Sequence, residues 1–270
     1  TTFKMKFVDA LKQYYFVGGM PEAVAAFAVR SDYSEVRSIH NNILAAYEQD
    51  FSKHAPQRIV PRIRLLWNSI PSQLAKEQKK FIYGLIKTGA RTREYELALA
   101  WLIDCGLIHK VQHISKPSIP LAAYINAGSF KLFLVDVGLL ATLSQLDSKS
   151  ILQGNTIFQE FKGALTEQFV LQQFVCNQQI RPYYWTAVKG TAEVDFVFQW
   201  DNGVIPVEVK AAEGEMFIDL HTNFIAEKGE YSAKNICTNS SNYPSSEFRL
   251  QRPHAPIRLG AFSHLDLSER

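Results

Sequence analysis

Three ionisable residues, Asp195, Glu208 and Lys210, interrupt a stretch of valine and phenylalanine in the sequence "TAEVDFVFQWDNGVIPVEVKAA" at 191–212. Carboxylate oxygens are the ligands that Mg²⁺ prefers, and a lysine ammonium can orient water and offset charge on a phosphorane-like transition state. The combination predicts phosphodiester hydrolysis with Mg²⁺ or Mn²⁺, with Asp195 and Glu208 as the metal ligands. The alternative is an exposed cross-strand ion pair, which is worth about 0–1 kcal/mol.

A β-hairpin is predicted to bring these residues together. A two-residue turn at Asn202-Gly203 would set Val197 opposite Glu208 and Asp195 opposite Lys210. Because side chains alternate along a strand, one face would carry four charged residues and the other face would be the buried one. The charged residues are Glu193, Asp195, Glu208 and Lys210, and the buried ones are Val194, Phe196, Phe198, Val207 and Val209.

A third carboxylate is available from the amphipathic sequence "TIFQEFKGALTEQFVLQQFV", which predicts a long helix before the hairpin. Glu167 lies among apolar residues of that helix, with Glu160 on nearly the same face. Glu167 would complete the metal site, or would occupy an ordinary solvated position.

The order of elements predicts a mixed α/β fold. Helices are expected over 3–50, 58–70, 77–87 and 92–105, followed by extended segments at 107–114 and 121–126, which is the order of a winged-helix module. A polar linker at 146–155 separates a helical, winged-helix-like domain (1–145) from an α/β domain (146–270). In the tail we expect a helix near 217–227 and strands near 233–238 and 257–262.

Composition restricts the class of protein. The chain has 270 residues, 47% of them hydrophobic, without an apolar run that could span a bilayer and without a signal peptide, so a cytoplasmic location without membrane contact is expected. Cys105, Cys176 and Cys237 form no CxxC pair and suit a reducing compartment. His109 and His113 have a metal-ligand spacing for a helix, but the surrounding residues favour an extended segment.

The Asp195…Glu208-x-Lys210 pattern resembles the core motif of the PD-(D/E)xK nuclease superfamily, which has the restriction-endonuclease-like fold. Five blocks then narrow the resemblance: "YYFVGGMPEAV", "FKLFLVDVGLL", "LTEQFVLQQF", "YYWTAVKGTAEVDFVF" and "IPVEVKA" occur in this order over 14–211. Together they look like the C-terminal region of a bacterial and archaeal AAA-type ATPase family, the domain of unknown function 4143.

This resemblance implies an N-terminal P-loop ATPase domain, a winged-helix-like segment and a nuclease-like domain. The chain has no GxxxxGK[ST] motif and does not begin with Met, so it is expected to be a C-terminal portion that binds no nucleotide and does not hydrolyse ATP by itself. The catalytic residues would be Glu167, Asp195, Glu208 and Lys210. The expected function is a DNA-associated module that is a metal-dependent nuclease; the alternative is a non-catalytic nucleic-acid or protein interaction module regulated by the ATPase domain. An oligomer is compatible with either reading.

A strong local excess of cations lies between Lys53 and Arg93, where ten Lys and Arg residues face one acid, Glu77. Several cations on one face bind nucleic-acid phosphates, and DNA is the favoured partner. The candidate contacts are Lys76, Lys79, Lys80, Lys87, Arg91 and Arg93. The alternatives are docking on an acidic patch of the ATPase domain and a solvated surface.

The sequence "FVGGMPEAV" contains Gly18-Gly19 directly before a helix start at Pro21. The glycines permit an unusual turn, and the following helix N-terminus is able to bind a phosphate. A structural turn is the favoured interpretation.

Overall fold

The computed structural model describes most of the chain up to Ser232, in the ranges 2–76, 79–153, 156–176, 180–188, 192–200, 203–212, 215–220, 225–227 and 230–232. Cys237 and the strands predicted near 233–238 and 257–262 lie outside the described residues. Eight helices are described, α1 to α8: Thr2–Val17, Pro21–Arg30, Tyr33–His54, Val60–Leu74, Thr92–Asp104, Val137–Leu143, Ser148–Gln153 and Thr156–Val175. None of these helices combines the length and the apolar character that crossing a membrane requires.

Strands from both predicted domains form one six-stranded sheet in the order β2-β1-β3-β4-β5-β6. Its neighbours are antiparallel except for β1 and β3, which run parallel. A short pair, β7 and β8, is separate. The strands β1 to β8 are Ile108–Ile114, Ile125–Leu134, Tyr183–Thr186, Glu193–Trp200, Gly203–Ala212, Glu215–Leu220, Ile225–Glu227 and Glu230–Ser232.

The mixed α/β class is confirmed, with helices first and the sheet later in the chain. The elements α4, α5, β1 and β2 follow the order of a winged-helix module, but β1 also pairs with β3 and therefore belongs to the larger sheet. His109 and His113 lie on β1, in the extended segment that was expected.

The predicted helix over 77–87 is wrong. Among its described residues only Tyr83–Leu85 form a single 3₁₀ turn. Phe81 instead donates its backbone N–H to the Phe130 carbonyl at 2.8 Å, and its ring stacks on that of Phe130 with centroids 5.1 Å apart. The unpaired edge of β2 offers this segment a hydrogen-bond partner and an aromatic contact, and these tertiary interactions override the local helical pattern.

The predicted helix near 217–227 is also wrong, because this part of the chain contains β6 and β7. The backbone of β6 pairs antiparallel with β5 from Val207↔Leu220 to Ala212↔Glu215. The edge of β5 offers backbone hydrogen bonds to the residues that follow it closely in the chain, so these residues pair as a strand. An isolated helix of this length would be only marginally stable.

Buried polar side chains attach α8 to the first half of the chain. Gln168 is fully buried; its side-chain oxygen accepts the Leu134 N–H at 2.9 Å, and its amide nitrogen donates to the Leu134 carbonyl at 2.6 Å. Two residues earlier, Thr166 accepts a hydrogen bond from the Tyr15 hydroxyl at 3.1 Å. Because buried polar groups are costly without partners, these bonds fix how α8 lies against β2 and α1.

The Gly18-Gly19 turn is structural and is built around a buried aspartate, Asp136. Gly18 has φ +66°, and a Cβ at this position would lie 2.2 Å from the Asp136 carboxylate. The Gly19 N–H donates to Asp136 Oδ2 at 2.7 Å, while Oδ1 accepts the Leu139 N–H at 2.9 Å and so caps α6. The alternative interpretation of this segment places a bound phosphate at the helix N-terminus that follows the two glycines. The group that binds the turn is instead the carboxylate of Asp136.

A substitution at this turn is expected to destabilise the fold. Gly18→Ala adds left-handed strain and a clash with Asp136, which together should lower the free energy of unfolding by about 2–4 kcal/mol. Urea denaturation measures the difference. Gly89→Ala is the matched control, because Gly89 has φ +79° but nothing within 4 Å of its Cβ position; strain alone should cost about 1–2 kcal/mol there. Equal losses in the two variants would contradict the Asp136 contact.

Candidate carboxylate and lysine centre

A buried lysine, Lys131 on β2, lies at the centre of the predicted cluster. Its side chain is 1% exposed, and its Nζ is 2.7 Å from Glu193 Oε1, 3.7 Å from Glu167 Oε2 and 3.8 Å from Asp195 Oδ1. The Tyr184 ring lies on another side, with its centroid 5.0 Å from Nζ. Lysine is almost never fully buried unless it is paired, and here three carboxylates supply the pairing.

Glu167 projects from α8 between two lysines and is itself buried. Its Oε1 forms an ion pair with the ammonium of Lys79, and its Oε2 faces Lys131 without a hydrogen-bond partner. Gly163, one turn earlier, leaves space for Lys79, since a Cβ at that glycine would lie 3.8 Å from Nζ. The interpretation of Glu167 as a solvated residue is therefore wrong.

Asp195 on β4 is held by its surroundings on both oxygens. Oδ2 accepts the Val209 N–H of β5 at 2.8 Å, and Oδ1 faces Lys131. Burial raises the pKa of Asp195 to about 7, and the negative charges of Glu167 and Glu208 act in the same direction. Lys131 and the Val209 N–H oppose that increase. Because burial is the largest cause, the raised pKa shows chiefly that this carboxyl is poorly solvated.

The structure brings together three of the four residues predicted for catalysis: Glu167, Asp195 and Glu208. Their charges act on one another at Asp195, although they come from α8, β4 and β5. The backbone of Lys210 pairs with Phe217 two positions after Glu208, and its side chain lies outside the described residues.

The predicted register of the hairpin is wrong by two residues. Val197 pairs with Pro206 instead of Glu208, and the strands meet at Trp200 and Gly203. The two residues between the strands are thus Asp201 and Asn202, which lie outside the described residues. Aspartate, asparagine and glycine all tolerate turn conformations, so the sequence "DNG" does not decide between the two positions. An even shift alone would leave each side chain on its predicted face. However, the pairing of β3 with β4 is irregular between Tyr183 and Trp185, and Val194, predicted to share a face with Phe196, lies in one apolar cluster with Val197.

Both sides of the hairpin are covered. Val197 is fully buried in a second apolar cluster with Val194, Tyr183 and Ile114. Phe196 packs on α8, where its ring centroid is 5.5 Å from that of Phe174, and Asp195 shares its charged cluster with Glu167 of the same helix. The hairpin is therefore an interior part of the sheet, and the side chain of Asp195 is only 13% exposed.

The described carboxylates of the centre outnumber its described ammonium groups. Glu167, Glu193, Asp195 and Glu208 supply four carboxylates, and Lys79 and Lys131 supply two ammonium groups. Glu208 has an interaction of its own, and the side chain of Lys210 lies outside the described residues. Burial lowers the pKa of Lys131, but the attraction of Glu167, Asp195 and Glu193 outweighs burial, so its pKa is raised overall and it stays charged.

The donor set suits a hard divalent cation only in part. Within the described ranges, no three His, Cys, Asp or Glu side chains are grouped closely enough to hold one metal ion. Mg²⁺ needs fewer protein ligands, since it usually keeps several waters and takes one or two carboxylates. Asp195 and Glu208, the predicted pair, are close enough for their charges to interact, and Glu167 Oε2, which has no hydrogen-bond partner, faces Lys131 in the same cluster.

The centre also contains three residues that no sequence pattern assigned to it: Lys131, Lys79 and Glu193. A signal for Lys131 was present: it is the only charged residue in the strand sequence "SFKLFLV", where an exposed position is not expected. Glu193 was predicted on the face of Asp195 without a role. Nothing in the sequence distinguishes Lys79 from Lys80.

Four of the six candidate nucleic-acid contacts are exposed: Lys80, Lys87, Arg91 and Arg93. Lys76 is half-buried. Lys79 differs from all of them, because its ion pair with Glu167 directs it into the centre and leaves its side chain 11% exposed. The prediction of Lys79 as a surface phosphate contact is therefore wrong for this structure.

The fold and the site define a mixed α/β protein in which carboxylates and lysines from the sheet, from α8 and from the segment before α5 form one centre. Residues 8–150, more than half of the chain, match the family model described as Domain of unknown function (DUF8612), and the chain belongs to that family. Residues 162–247 match a second model, Domain of unknown function (DUF4143). The predicted resemblance to domain 4143 is thus confirmed for the second half, while the blocks at 14–24 and 130–140 lie in the first match. Comparison with curated proteins and with solved structures gives no match.

The raised pKa of Asp195 predicts a pH-dependent stability. A carboxyl whose folded-state pKa lies above its unfolded value of 3.8 contributes stability that is complete below that value and is lost as pH rises to about 7. The free energy of unfolding of the wild type relative to Asp195→Asn should therefore fall by a few kcal/mol, on the order of 1.4 per pKa unit, between pH 4 and pH 8. Urea denaturation at several pH values measures this difference, and a flat difference would contradict the raised pKa of Asp195.

Proposed function

We propose that this chain is a DNA-associated module of an AAA-type ATPase and that its carboxylate centre hydrolyses phosphodiester bonds with Mg²⁺ or Mn²⁺. The observation that supports hydrolysis is the convergence of Glu167, Asp195 and Glu208 from three elements into one cluster of carboxylates. A divalent cation bound there would offset their mutual repulsion. An ordinary surface ion pair, by contrast, would be neutral and exposed.

The residues have distinct roles in this proposal. Asp195 and Glu208 would hold the metal ion, which polarises the phosphate and lowers the pKa of its bound water. Asp195 is pre-oriented for this role by the Val209 N–H, and Glu167 would accept a proton or support the ligands. Lys210 would orient the attacking water, as the resemblance to the PD-(D/E)xK motif implies.

The basic surface near α5 supports association with nucleic acid. Arg91 precedes α5 and Arg93 lies in its first turn, where the helix dipole disfavours cations and favours a bound anion. Both side chains are exposed, as are Lys80 and Lys87 in the preceding segment. Cations at a helix N-terminus lower the stability of the helix. Their presence there is therefore better explained by a bound phosphate than by a contribution to folding stability.

The remaining parts of the proposal rest on the match over 162–247 to domain 4143. Through that family resemblance we assign the chain an ATPase domain as its partner, and a cytoplasmic location without membrane contact. ATP binding and hydrolysis would belong to that partner domain.

A second candidate is a non-catalytic nucleic-acid or protein interaction module regulated by the ATPase domain. The observation in its favour is Lys131, whose ammonium already lies among three carboxylates. In this case the ion pairs would serve only to connect α8 with the sheet.

Metal-dependent nicking of supercoiled plasmid separates the two candidates. With Mg²⁺ or Mn²⁺ the wild type should nick, and Asp195→Asn should be slower by at least about 100-fold, because an amide is a poor metal ligand. Gel analysis of the plasmid over time gives the rates.

The control for nicking is Asp50→Asn, which changes an exposed aspartate of α3 that is 54% exposed. It should keep the wild-type rate. Equal rates in wild type and Asp195→Asn would assign the activity to a contaminant, and no nicking with any metal would favour the non-catalytic candidate.

Charge reversal at the basic surface should weaken DNA binding. Arg91→Glu with Arg93→Glu removes up to two phosphate contacts, so the slope of log K against log salt should become smaller by up to about 1.8. Fluorescence anisotropy with a labelled duplex at several salt concentrations measures both affinity and slope. Lys6→Glu with Lys149→Glu alters net charge equally at exposed residues outside this surface and should change the slope little. Similar losses in the two variants would show a dependence on net charge only.

A further inference from the structure

We propose that Lys131 is a positioning residue of the carboxylate centre, and that the centre is shared between the two family matches. Lys79 and Lys131 come from the first match, residues 8–150, while Glu167, Glu193 and Asp195 come from the second, residues 162–247. The effect of Lys131 on the reaction rests on the proposed function. Its role in holding the carboxylates together rests on the geometry alone.

Lys131 connects elements that do not pair with each other. In the sheet, β2 is separated from β4 by β1 and β3, and α8 lies outside the sheet. The ammonium nevertheless lies within 3.8 Å of carboxylates on both β4 and α8. Lys79, the other cation among the described residues of the cluster, forms an ion pair with Glu167. Lys131 is thus the cation that joins the two groups of carboxylates.

The convergence of these carboxylates depends on that charge. Three carboxylates around one buried point repel each other, and burial adds a further penalty for each ionised group. Without the ammonium they must separate or take up protons. Either change would remove the ionised, pre-oriented ligands that a metal site needs, so Lys131 would act on catalysis through Glu167, Glu193 and Asp195.

A double-mutant cycle between Lys131→Met and Glu193→Gln tests the proposal. In the wild-type background, Glu193→Gln removes the 2.7 Å ion pair and should lower the midpoint of thermal unfolding. In the Lys131→Met background the same change removes an uncompensated charge and should raise the midpoint. This reversal of sign is expected only if Lys131 compensates the carboxylates.

The matched control is Lys110→Met on the neighbouring strand β1, where Lys110 pairs in register with Leu132 and lies over the Phe130 ring at 4.4 Å. Glu193→Gln should lower the midpoint in that background, as it does in the wild type. If Glu193→Gln lowers the midpoint in the Lys131→Met background too, the proposal is overturned.

Lys131→Arg keeps the test decisive if Lys131→Met does not fold. The arginine preserves the charge, so this variant should fold and unfold close to the wild-type midpoint, and Lys131→Met should regain soluble yield when Glu193→Gln is added. If Lys131→Arg is as damaging as Lys131→Met, or the added Glu193→Gln restores nothing, then side-chain shape rather than charge is what the site needs.

The nicking assay then separates this proposal from the proposed function. Lys131→Met should lower the nicking rate by about 10–100-fold, the usual effect of losing a group that orients metal ligands, and Lys131→Arg should recover much of it. A sign reversal without metal-dependent nicking by the wild type overturns the proposed function but supports Lys131 as the positioning residue. Nicking by the wild type without a sign reversal supports the proposed function but overturns Lys131 as the positioning residue.

Discussion

A single buried ammonium group, that of Lys131, is the constraint on which the arrangement of the second half depends. A charge of this kind is tolerated in the interior only with close partners, and its partners are carboxylates from β4 and α8. The requirement is mutual, because those carboxylates would not share a buried site without a cation. The helix and the sheet are therefore held at one distance by electrostatics, in addition to the apolar contacts of Phe174 with Phe196 and Phe198.

The inward face of α8 is unusually polar for a buried helix at 166–168, and each of these three side chains contacts the first half of the chain. Thr166 meets Tyr15, Glu167 meets Lys79 and Lys131, and Gln168 meets both backbone groups of Leu134. These bonds are directional, so they select one orientation of the helix where apolar packing alone would accept several. The two family matches consequently divide the sequence at a place where the folded molecule is continuous, since β1 and β3 also pair across it.

Alternation along the strands predicted that Asp195 and Glu208 lie close together, and their charges do interact. It did not predict that Val194 and Val197 lie in one apolar cluster. The helix periodicity correctly gave α8. The sequence did not determine the turn, because "DNG" allows two positions, and the error of two residues was invisible to any argument from faces. It also did not reveal that Lys79 points inward while Lys80 points outward. That difference is set by the Phe81–Phe130 contact at the edge of β2, which is a long-range interaction without a local pattern.

The turn at Gly18-Gly19 has a consequence for the distant charged cluster. Asp136 follows β2 by two residues and is held by backbone groups of both Gly19 and Leu139, so the carboxyl end of that strand is fixed to α1 and α6. Gly138 lies so close to Gly18 that a Cβ there would be 2.8 Å from the Gly18 nitrogen. Sliding of β2 along its own axis is thereby blocked at one end. The depth to which its lysine reaches into the interior is set about five residues away, by hydrogen bonds between the Asp136 carboxylate and backbone groups and by the close approach of Gly18 and Gly138.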